Sequence, residues 1–270
     1  MNPKVAEYLR KMIVTIVILY TALAVYAYFF SDRLMFQPHP PSYRDGAEIL
    51  KVTTSSGKKI SAVYFPNNSA RYTLLISHGN AEDLGDDREW LQDLRREGFS
   101  VFAFDYEGYG TSEGKPSEKA FYEDEFAAYD YLAVNLATPT DRILIYGRSV
   151  GGGPAVHLAA RRPAAGLILQ STFVSAFRVL TRVPLLPFDR FPNSREIRHV
   201  HCPVLIMHGT ADSVISFWHS EVLFREANEP KQFFAIEGAD HNDPVAAATA
   251  AALVEFTEFI EGKPSGSRPH

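Results

Sequence analysis

Residues 143–160 read ILIYGRSVGGGPAVHLAA: an apolar run, a G-x-S-x-G pentapeptide and a helix-like segment in direct succession. In this context the pentapeptide is typical of a nucleophile elbow, a strained strand-to-helix turn whose small residues let the strand and the helix approach closely. The pattern predicts that Ser149 projects above a sheet as a nucleophile. Gly151-Gly152-Gly153 also suits a plain tight turn or a phosphate cradle, but no G-K-[ST] follows and the spacing is not that of a P-loop.

Strand-like and helix-like segments alternate on both sides of this motif. Eight apolar runs favour strands: 48–54, 59–65, 72–78, 99–105, 142–147, 165–170, 203–208 and 232–236. Four segments with helical spacing lie between the later runs, and a fifth follows the last run: 84–97, 117–136, 151–161, 216–227 and 244–260. The six later runs show little alternation, as in strands buried on both faces, and the short first connection suits a hairpin. We predict an α/β fold with a mostly parallel eight-stranded sheet flanked by helices.

A serine hydroxyl needs a base, and the base needs a group that fixes its tautomer. In proteins with this elbow the chain order is serine, acid, histidine. Asp212 in HGTAD follows the seventh run and His241 in EGADHND follows the eighth, so both are predicted at the same edge of the sheet as Ser149. The alternative for Asp212 is an ordinary turn or N-cap carboxylate. Asp240 and Asp243 are rival acids, but as chain neighbours of the histidine they are expected to order its loop.

Acyl transfer develops an oxyanion in its transition state, and backbone N–H groups are the usual donors to it. Val150, directly after Ser149, is expected to supply one donor. The second is expected from the loop HGNA after the third run. We assign it to Asn80, with Ala81 as the neighbouring alternative.

Charge and cysteine content exclude several classes of function. The 270 residues carry a net charge of −5 and no block of basic residues, so we expect no nucleic-acid partner. Cys202 is the only cysteine, which excludes an internal disulfide and a multi-thiolate zinc site. The fragment His199-x-His201-Cys202 has no fourth ligand at suitable spacing, and H-E-x-x-H is absent. We therefore expect no catalytic metal.

The N-terminal segment is apolar and long. Residues 12–30, MIVTIVILYTALAVYAYFF, carry no charge and would form a helix of roughly 28 Å, close to the ~30 Å of a bilayer's hydrocarbon core. The alternative is a cleaved signal peptide ending at Ala22-Leu23-Ala24, but the apolar run continues past that site. We expect a membrane anchor over 1–33, a hydrolase domain over 34–262 and a frayed tail over 263–270.

The charges around the span predict its orientation. Lys4, Arg10 and Lys11 precede it, whereas Arg33 and Arg44 are the basic residues that follow it closely. The positive-inside rule then favours a cytoplasmic N-terminus and a catalytic domain outside the cytoplasm. A span of this kind could also pair with itself to form a homodimer, although it lacks a G-x-x-x-G face.

The segment 171–202 does not fit the alternation of strands and helices. Two interpretations of this segment are open: a helix packed on the edge of the sheet, and a short apolar cap over a substrate pocket. The two do not exclude each other. Four of its apolar side chains are candidate substrate contacts: Phe173, Phe177, Leu185 and Leu186.

Five blocks resemble the α/β-hydrolase superfamily in that superfamily's order, over about residues 48–260: SHGNAEDLG, DYEGYGTSEGKPSE, IYGRSVGGGPAVHLA, PVLIMHGTADSVI and EGADHND. Within the superfamily the chain is most similar to small membrane-associated abhydrolase-domain proteins, which include protein depalmitoylases; FDRFPN at 188–193 adds to this likeness. The resemblance implies a serine hydrolase that uses the serine, aspartate and histidine named above, without a metal or an organic cofactor. In one respect the chain departs from the depalmitoylases, which are anchored through an acylated N-terminal cysteine cluster, because it has no cysteine before Cys202.

We therefore expect a membrane-anchored serine hydrolase that cleaves carboxylic esters, acyl lipids above all, through an acyl-enzyme. An acyl-protein thioesterase or a serine peptidase would use the same three residues, so both remain alternatives. A non-catalytic, membrane-tethered binding protein is a third, since a fold alone does not establish activity.

Overall fold

The computed structural model describes residues 3–243 and 245–262. The chain divides into two units, Met1–Gln37 and Pro38–His270. The predicted tail at 263–270 lies outside the described residues.

The first unit contains one long helix, α1, over Pro3–Met35. The most apolar stretch of 18 residues in α1 has a mean hydropathy of 2.2 and contains no buried residue, so α1 is long and apolar enough to cross a bilayer. The helix extends beyond the predicted span at both ends. Proline suits the first helical position, and Glu7 and Lys11 form an i,i+4 ion pair of 2.8 Å in the polar first turns.

The second unit is built on one eight-stranded sheet. Its strands are β1 Leu50–Thr53, β2 Lys59–Phe65, β3 Thr73–Ser77, β4 Ser100–Phe104, β5 Ile143–Arg148, β6 Gly166–Gln170, β7 Val204–Gly209 and β8 Lys231–Ile236. They lie in the order β1-β2-β4-β3-β5-β6-β7-β8. β2 runs antiparallel to β1 and to β4, and every other neighbouring pair is parallel. The predicted mostly parallel sheet with an antiparallel edge is confirmed.

Helices lie at the five predicted places, with shifted ends, and a further short one lies within the segment 171–202. They are α2 Arg88–Arg96, α3 Glu118–Asp130, α4 Gly152–Ala159, α5 Asn193–Glu196, α6 Trp218–Glu226 and α7 Ala246–Ile260, and a π-helical turn over Tyr131–Asn135 continues α3. α2 begins later than its spacing predicts because the carboxylate of Asp83 accepts the N–H groups of Gly85 and Asp86 at 2.9 and 3.2 Å, which holds that stretch in turns.

The central strands are buried on both faces, which explains why their sequences do not alternate. Every residue of β3, β4 and β6 is buried. On one face Leu74 and Leu144 belong to a cluster with Leu91 of α2 and with Leu253 and Phe256 of α7. The core therefore holds the parallel strands rigidly side by side, and their carboxyl ends meet at one edge of the sheet.

The segment 171–202 has little regular structure. It contains a 3-10 turn at Phe177–Val179, the short α5 and a second 3-10 turn at Ile197–His199, and residues 180–192 contain no helix. The carboxylate of Asp189 orders it by accepting the N–H of Phe177 at 2.9 Å and the hydroxyl of Ser175 at 2.7 Å. The short α5 is the α-helical part of this segment, and a cap over a substrate pocket stays a prediction.

Candidate active site

The elbow after β5 places Ser149 in a left-handed conformation. Its φ is +53°, a value that costs energy for a residue with a side chain and persists only where neighbours hold it. Thr172 does so by donating its hydroxyl to the carbonyl of Ser149 at 2.7 Å. The turn also needs its glycines, since a Cβ on Gly151 would lie 2.1 Å from the carbonyl oxygen of Ser77, and one on Gly147 would lie 2.6 Å from that of Gly151.

The structure brings the three predicted residues together at the carboxyl edge of the sheet. His241 Nε2 lies 3.1 Å from the hydroxyl oxygen of Ser149. His241 Nδ1 lies 2.8 Å from Asp212 Oδ2. The residues come from the loops after β5, β7 and β8, so three parallel strands of one sheet position one hydrogen-bonded chain. Such a chain can transfer a proton from the serine to the histidine.

Backbone and carboxylate contacts lock the loops after β7 and β8 together. A Cβ on Gly209 would lie 2.3 Å from the carbonyl oxygen of Ala239, so only glycine permits this approach. Asp240 accepts the N–H of Ser213 and the N–H of His241, both at 2.7 Å. The Asp240 carboxylate thus orders the histidine loop and does not contact the imidazole ring through these bonds, in keeping with the sequence interpretation.

A second histidine contacts the acid, and sequence reasoning missed this role. His208 Nε2 lies 3.2 Å from Asp212 Oδ2 and 2.7 Å from the carbonyl oxygen of Ile215. Within the described residues its Nδ1 is buried without a hydrogen-bond partner, which assigns the proton to Nε2. The available signal was the i,i+4 spacing of His208 and Asp212 in HGTAD.

These contacts keep the acid ionised. Burial raises the pKa of Asp212, but the hydrogen bonds from His208, His241 and the Ile215 N–H outweigh it. The pKa therefore lies well below the usual range of an aspartate. An ionised Asp212 is the form that can hold the Nδ1–H tautomer of His241.

The two predicted oxyanion donors lie in adjacent loops. Val150 is buried in the 3-10 turn after Ser149, and Asn80 is half-buried in the loop after β3. These loops start side by side because Ser77 pairs with Gly147 in the parallel register of β3 and β5. Their role as donors stays a prediction.

The four predicted substrate contacts differ in exposure. Phe173 is buried and directly follows Thr172, which bonds the Ser149 carbonyl. Phe177 and Leu186 are half-buried, and Leu185 is 55% exposed. Phe173 therefore lies next to the elbow, whereas Leu185 faces solvent. Substrate contact stays a prediction for all four.

Among the described residues one group offers metal-ligand atoms within 4.8 Å of one another: His39, Asp83 and Asp86. His39 Nε2 already contacts Asp86 at 2.9 Å, and Asp83 already accepts the backbone N–H groups of Ser42 and Gly85. These ligand atoms already form hydrogen bonds within the protein, which order the loop around Asp83.

A cavity of about 580 Å³ lies between β1 and the α3 helix with its π-helical turn. None of the predicted site residues lines it. Its charged groups are Lys51, Glu123 and Asp130, and no histidine or cysteine accompanies them. Without a base beside a nucleophile, this cavity is a poorer active site than the edge of the sheet.

Comparison with known proteins agrees with this fold. Residues 68–186 match the protein family described as serine aminopeptidase, S33. Alpha/beta hydrolase domain-containing protein 17B of Xenopus tropicalis is 42% identical over 206 residues, which cover 74% of this chain and 71% of the relative. The Homo sapiens protein of the same name is 41% identical with the same coverage. A solved esterase of Pyrococcus furiosus superposes with a TM-score of 0.69 at 16% identity, covering 83% of this chain and 99% of the esterase, and shows the fold alone.

Proposed function

Because the chain belongs to the family of alpha/beta hydrolase domain-containing protein 17, we propose that it is a membrane-anchored serine hydrolase that cleaves carboxylic esters, acyl lipids above all. One observation carries the proposal. The Ser149 hydroxyl, the His241 imidazole and the Asp212 carboxylate form a hydrogen-bonded chain with distances of 3.1 and 2.8 Å. Ser149 itself has the left-handed conformation of an elbow.

In the proposed reaction Ser149 attacks the acyl carbonyl while His241 Nε2 takes the hydroxyl proton. Asp212 holds the Nδ1–H and stabilises the imidazolium that forms. The N–H groups of Val150 and Asn80 donate to the oxyanion. His241 then gives its proton to the leaving alcohol, and the acyl group stays on the serine. A water activated by the same histidine releases the carboxylic acid.

The anchor and the cap favour acyl lipids as the substrate class. An apolar α1 keeps the enzyme at a membrane, where acyl lipids are concentrated. Phe173, Phe177, Leu185 and Leu186 are the side chains proposed to contact the acyl chain. Hydrocarbon bound along such residues is worth about 0.8 kcal/mol per buried methylene, so longer chains should bind more tightly.

The orientation of the anchor is part of the proposal. Lys4, Arg10 and Lys11 precede the span, and Arg33 and Arg44 follow it, which supports a cytoplasmic N-terminus and a hydrolase domain on the other side. Protease treatment of sealed vesicles that carry tags at both termini tests it. In vesicles whose cytoplasmic side faces outward, the proposal predicts that the protease removes the N-terminal tag and leaves the C-terminal tag protected. The reverse pattern contradicts the proposal.

A serine peptidase is the second candidate. It is supported by the match of residues 68–186 to the family described as serine aminopeptidase. An acyl-protein thioesterase would use the same three residues, since they do not select the scissile bond. Amides have the poorest leaving group of the three substrate types, so a peptidase must also protonate an amine efficiently.

The deciding experiment compares an oxoester, a thioester and an amide with one acyl group, followed by oxoesters with C2 to C16 chains. The full-length protein in detergent micelles is the enzyme, and Ser149→Ala is the blank. Ester cleavage that rises with chain length, together with labelling of Ser149 by a fluorophosphonate, is the expected result. A preference for the amide or the thioester replaces the ester assignment. No cleavage and no labelling of Ser149 overturn the hydrolase proposal.

A further inference from the structure

The two proposed oxyanion donors belong to separate loops. Val150 follows the nucleophile after β5, and Asn80 lies in the loop after β3. The strands are parallel neighbours, with Ser77 opposite Gly147, but the loops beyond them are not joined covalently. Gly151 of the elbow packs directly on the carbonyl groups of Ser77 and His78. Side chains that bridge the loops beyond this contact can then set the distance between the two N–H groups.

Glu82 forms such a bridge. Its Oε2 accepts a hydrogen bond from the backbone N–H of Gly79 at 2.9 Å, and its Oε1 accepts one from Nη1 of Arg148 at 2.7 Å. Gly79 directly precedes Asn80, and Arg148 directly precedes Ser149. A Cβ on Gly79 would lie 2.8 Å from Glu82 Oε2, so the missing side chain leaves room for the carboxylate. One carboxylate thus holds both the residue before the proposed donor Asn80 and the residue before the nucleophile Ser149.

Other contacts fix the peptide groups on either side of this bridge. His78 Nδ1 lies 2.7 Å from the carbonyl oxygen of Gly79, which shares a peptide group with the N–H of Asn80. Tyr109 donates its hydroxyl to Asn80 Oδ1 at 2.6 Å. Ala81 follows with a φ of +57°, a conformation that persists only where surrounding contacts hold it. These contacts orient the loop, and among them only that of the Glu82 carboxylate reaches the elbow.

The charges around the bridge explain why Glu82 is paired with an arginine. The side chains of Glu82 and Arg148 are 21% and 22% exposed, so water screens their attraction only in part. Burial, and after it the Glu82 carboxylate, raises the pKa of Asp87 to about 7, while His78 and Arg148 lower it. The positive charge of Arg148 therefore offsets the negative charges of Glu82 and Asp87. Without it, Glu82 would be left beside a like charge.

We propose that Glu82 is a positioning residue, which sets the separation of the Asn80 and Val150 N–H groups by joining the oxyanion loop to the elbow through Arg148. The inference rests on the proposed function, because it requires a reaction that forms an oxyanion. The donors interact most strongly with the tetrahedral adduct, so displacing them lowers kcat and leaves KM nearly unchanged.

The test uses the full-length protein in detergent micelles with p-nitrophenyl butyrate. A fluorophosphonate counts reactive serines, and a trifluoromethyl ketone reports affinity for an oxyanion. In Glu82→Leu we expect kcat per labelled site to fall roughly 10- to 100-fold, and the inhibition constant of the ketone to rise by the same factor. Glu82→Gln should lose less, since its amide oxygen still accepts the Gly79 N–H. Adding Arg148→Leu to Glu82→Leu should cost little more, because the two side chains act as a unit.

A matched control is Glu196→Gln, which breaks the ion pair with Arg161. The Glu196 side chain is 20% exposed, as Glu82 nearly is, and the pair links α5 to the end of α4. Its kcat and KM should stay within about two-fold of wild type. The inference is overturned if Glu82→Leu keeps wild-type kcat per labelled site, if its loss is confined to KM, or if the ketone binds as before. A wild type that cleaves no ester and leaves Ser149 unlabelled refutes instead the proposed function itself.

Discussion

Replacing Asp212 by asparagine is expected to lower kcat about 10⁴-fold with little change in KM. The contacts of the carboxylate explain why. Asp212 Oδ1 accepts the N–H groups of Val214 and Ile215 at 3.0 and 2.7 Å, so an asparagine must keep its carbonyl oxygen there. Its NH₂ group then occupies the Oδ2 position, 2.8 Å from His241 Nδ1.

Two hydrogen-bond donors cannot face each other, so His241 must take the tautomer that carries its proton on Nε2. That nitrogen lies 3.1 Å from the Ser149 hydroxyl and would then donate to it instead of accepting its proton. The same NH₂ group also faces the Nε2–H of His208, which lies 3.2 Å from the Oδ2 position. The variant therefore loses its general base and one of the contacts that hold the acid. At about 1.36 kcal/mol per tenfold in rate, a 10⁴-fold loss corresponds to roughly 5 kcal/mol of transition-state stabilisation.

Steady-state hydrolysis of p-nitrophenyl butyrate measures the effect, with Tm reporting that the isosteric variant is folded. Asp240→Asn is the matched control, since Asp240 is an acid of the same site that bonds the backbone of Ser213 and His241. Its kcat should stay within about tenfold of wild type. An Asp212→Asn variant with more than a tenth of wild-type kcat, or an Asp240→Asn variant with the larger loss, would refute the assignment of the acid.

Three further changes probe the support of the site. Gly151→Ala places a Cβ 2.1 Å from the Ser77 carbonyl oxygen and should lower the free energy of unfolding by more than about 2 kcal/mol in urea, or prevent folding; unchanged stability would contradict the close approach. Burial raises the pKa of Glu125 to about 8, above its ordinary 4.5, so its contribution to stability is full below pH 4.5 and is lost as the pH rises through 8. Urea unfolding at pH 5 and pH 9 should show a smaller fall for Glu125→Gln than for wild type, and an equal fall would be evidence against a neutral buried carboxyl. His208→Phe removes a donor to Asp212 and should lower kcat/KM roughly tenfold, measured with the same ester; wild-type kinetics would show that the contact is dispensable.

Local sequence patterns predicted the fold because they report local requirements. The β5 run, the glycines around Ser149 and the helix after them specify a strand-turn-helix unit within one short stretch. Uninterrupted apolar strands alternating with helices imply a parallel sheet, and the parallel pairing of β3 to β8 bears this out. The order serine, acid, histidine placed three side chains after three strands, which the sheet then brings to hydrogen-bond distance.

Contacts between distant segments were decided by the tertiary structure alone. Asp83, which holds the turn before α2, also accepts the N–H of Ser42 from 41 positions away. Glu82 and Arg148 are separated by 66 positions and meet because β3 and β5 are neighbours in the sheet. A periodicity records which face of its own element a residue occupies, whereas these bridges depend on which strands become neighbours. That choice is made by packing the whole core, and no single stretch of sequence carries it.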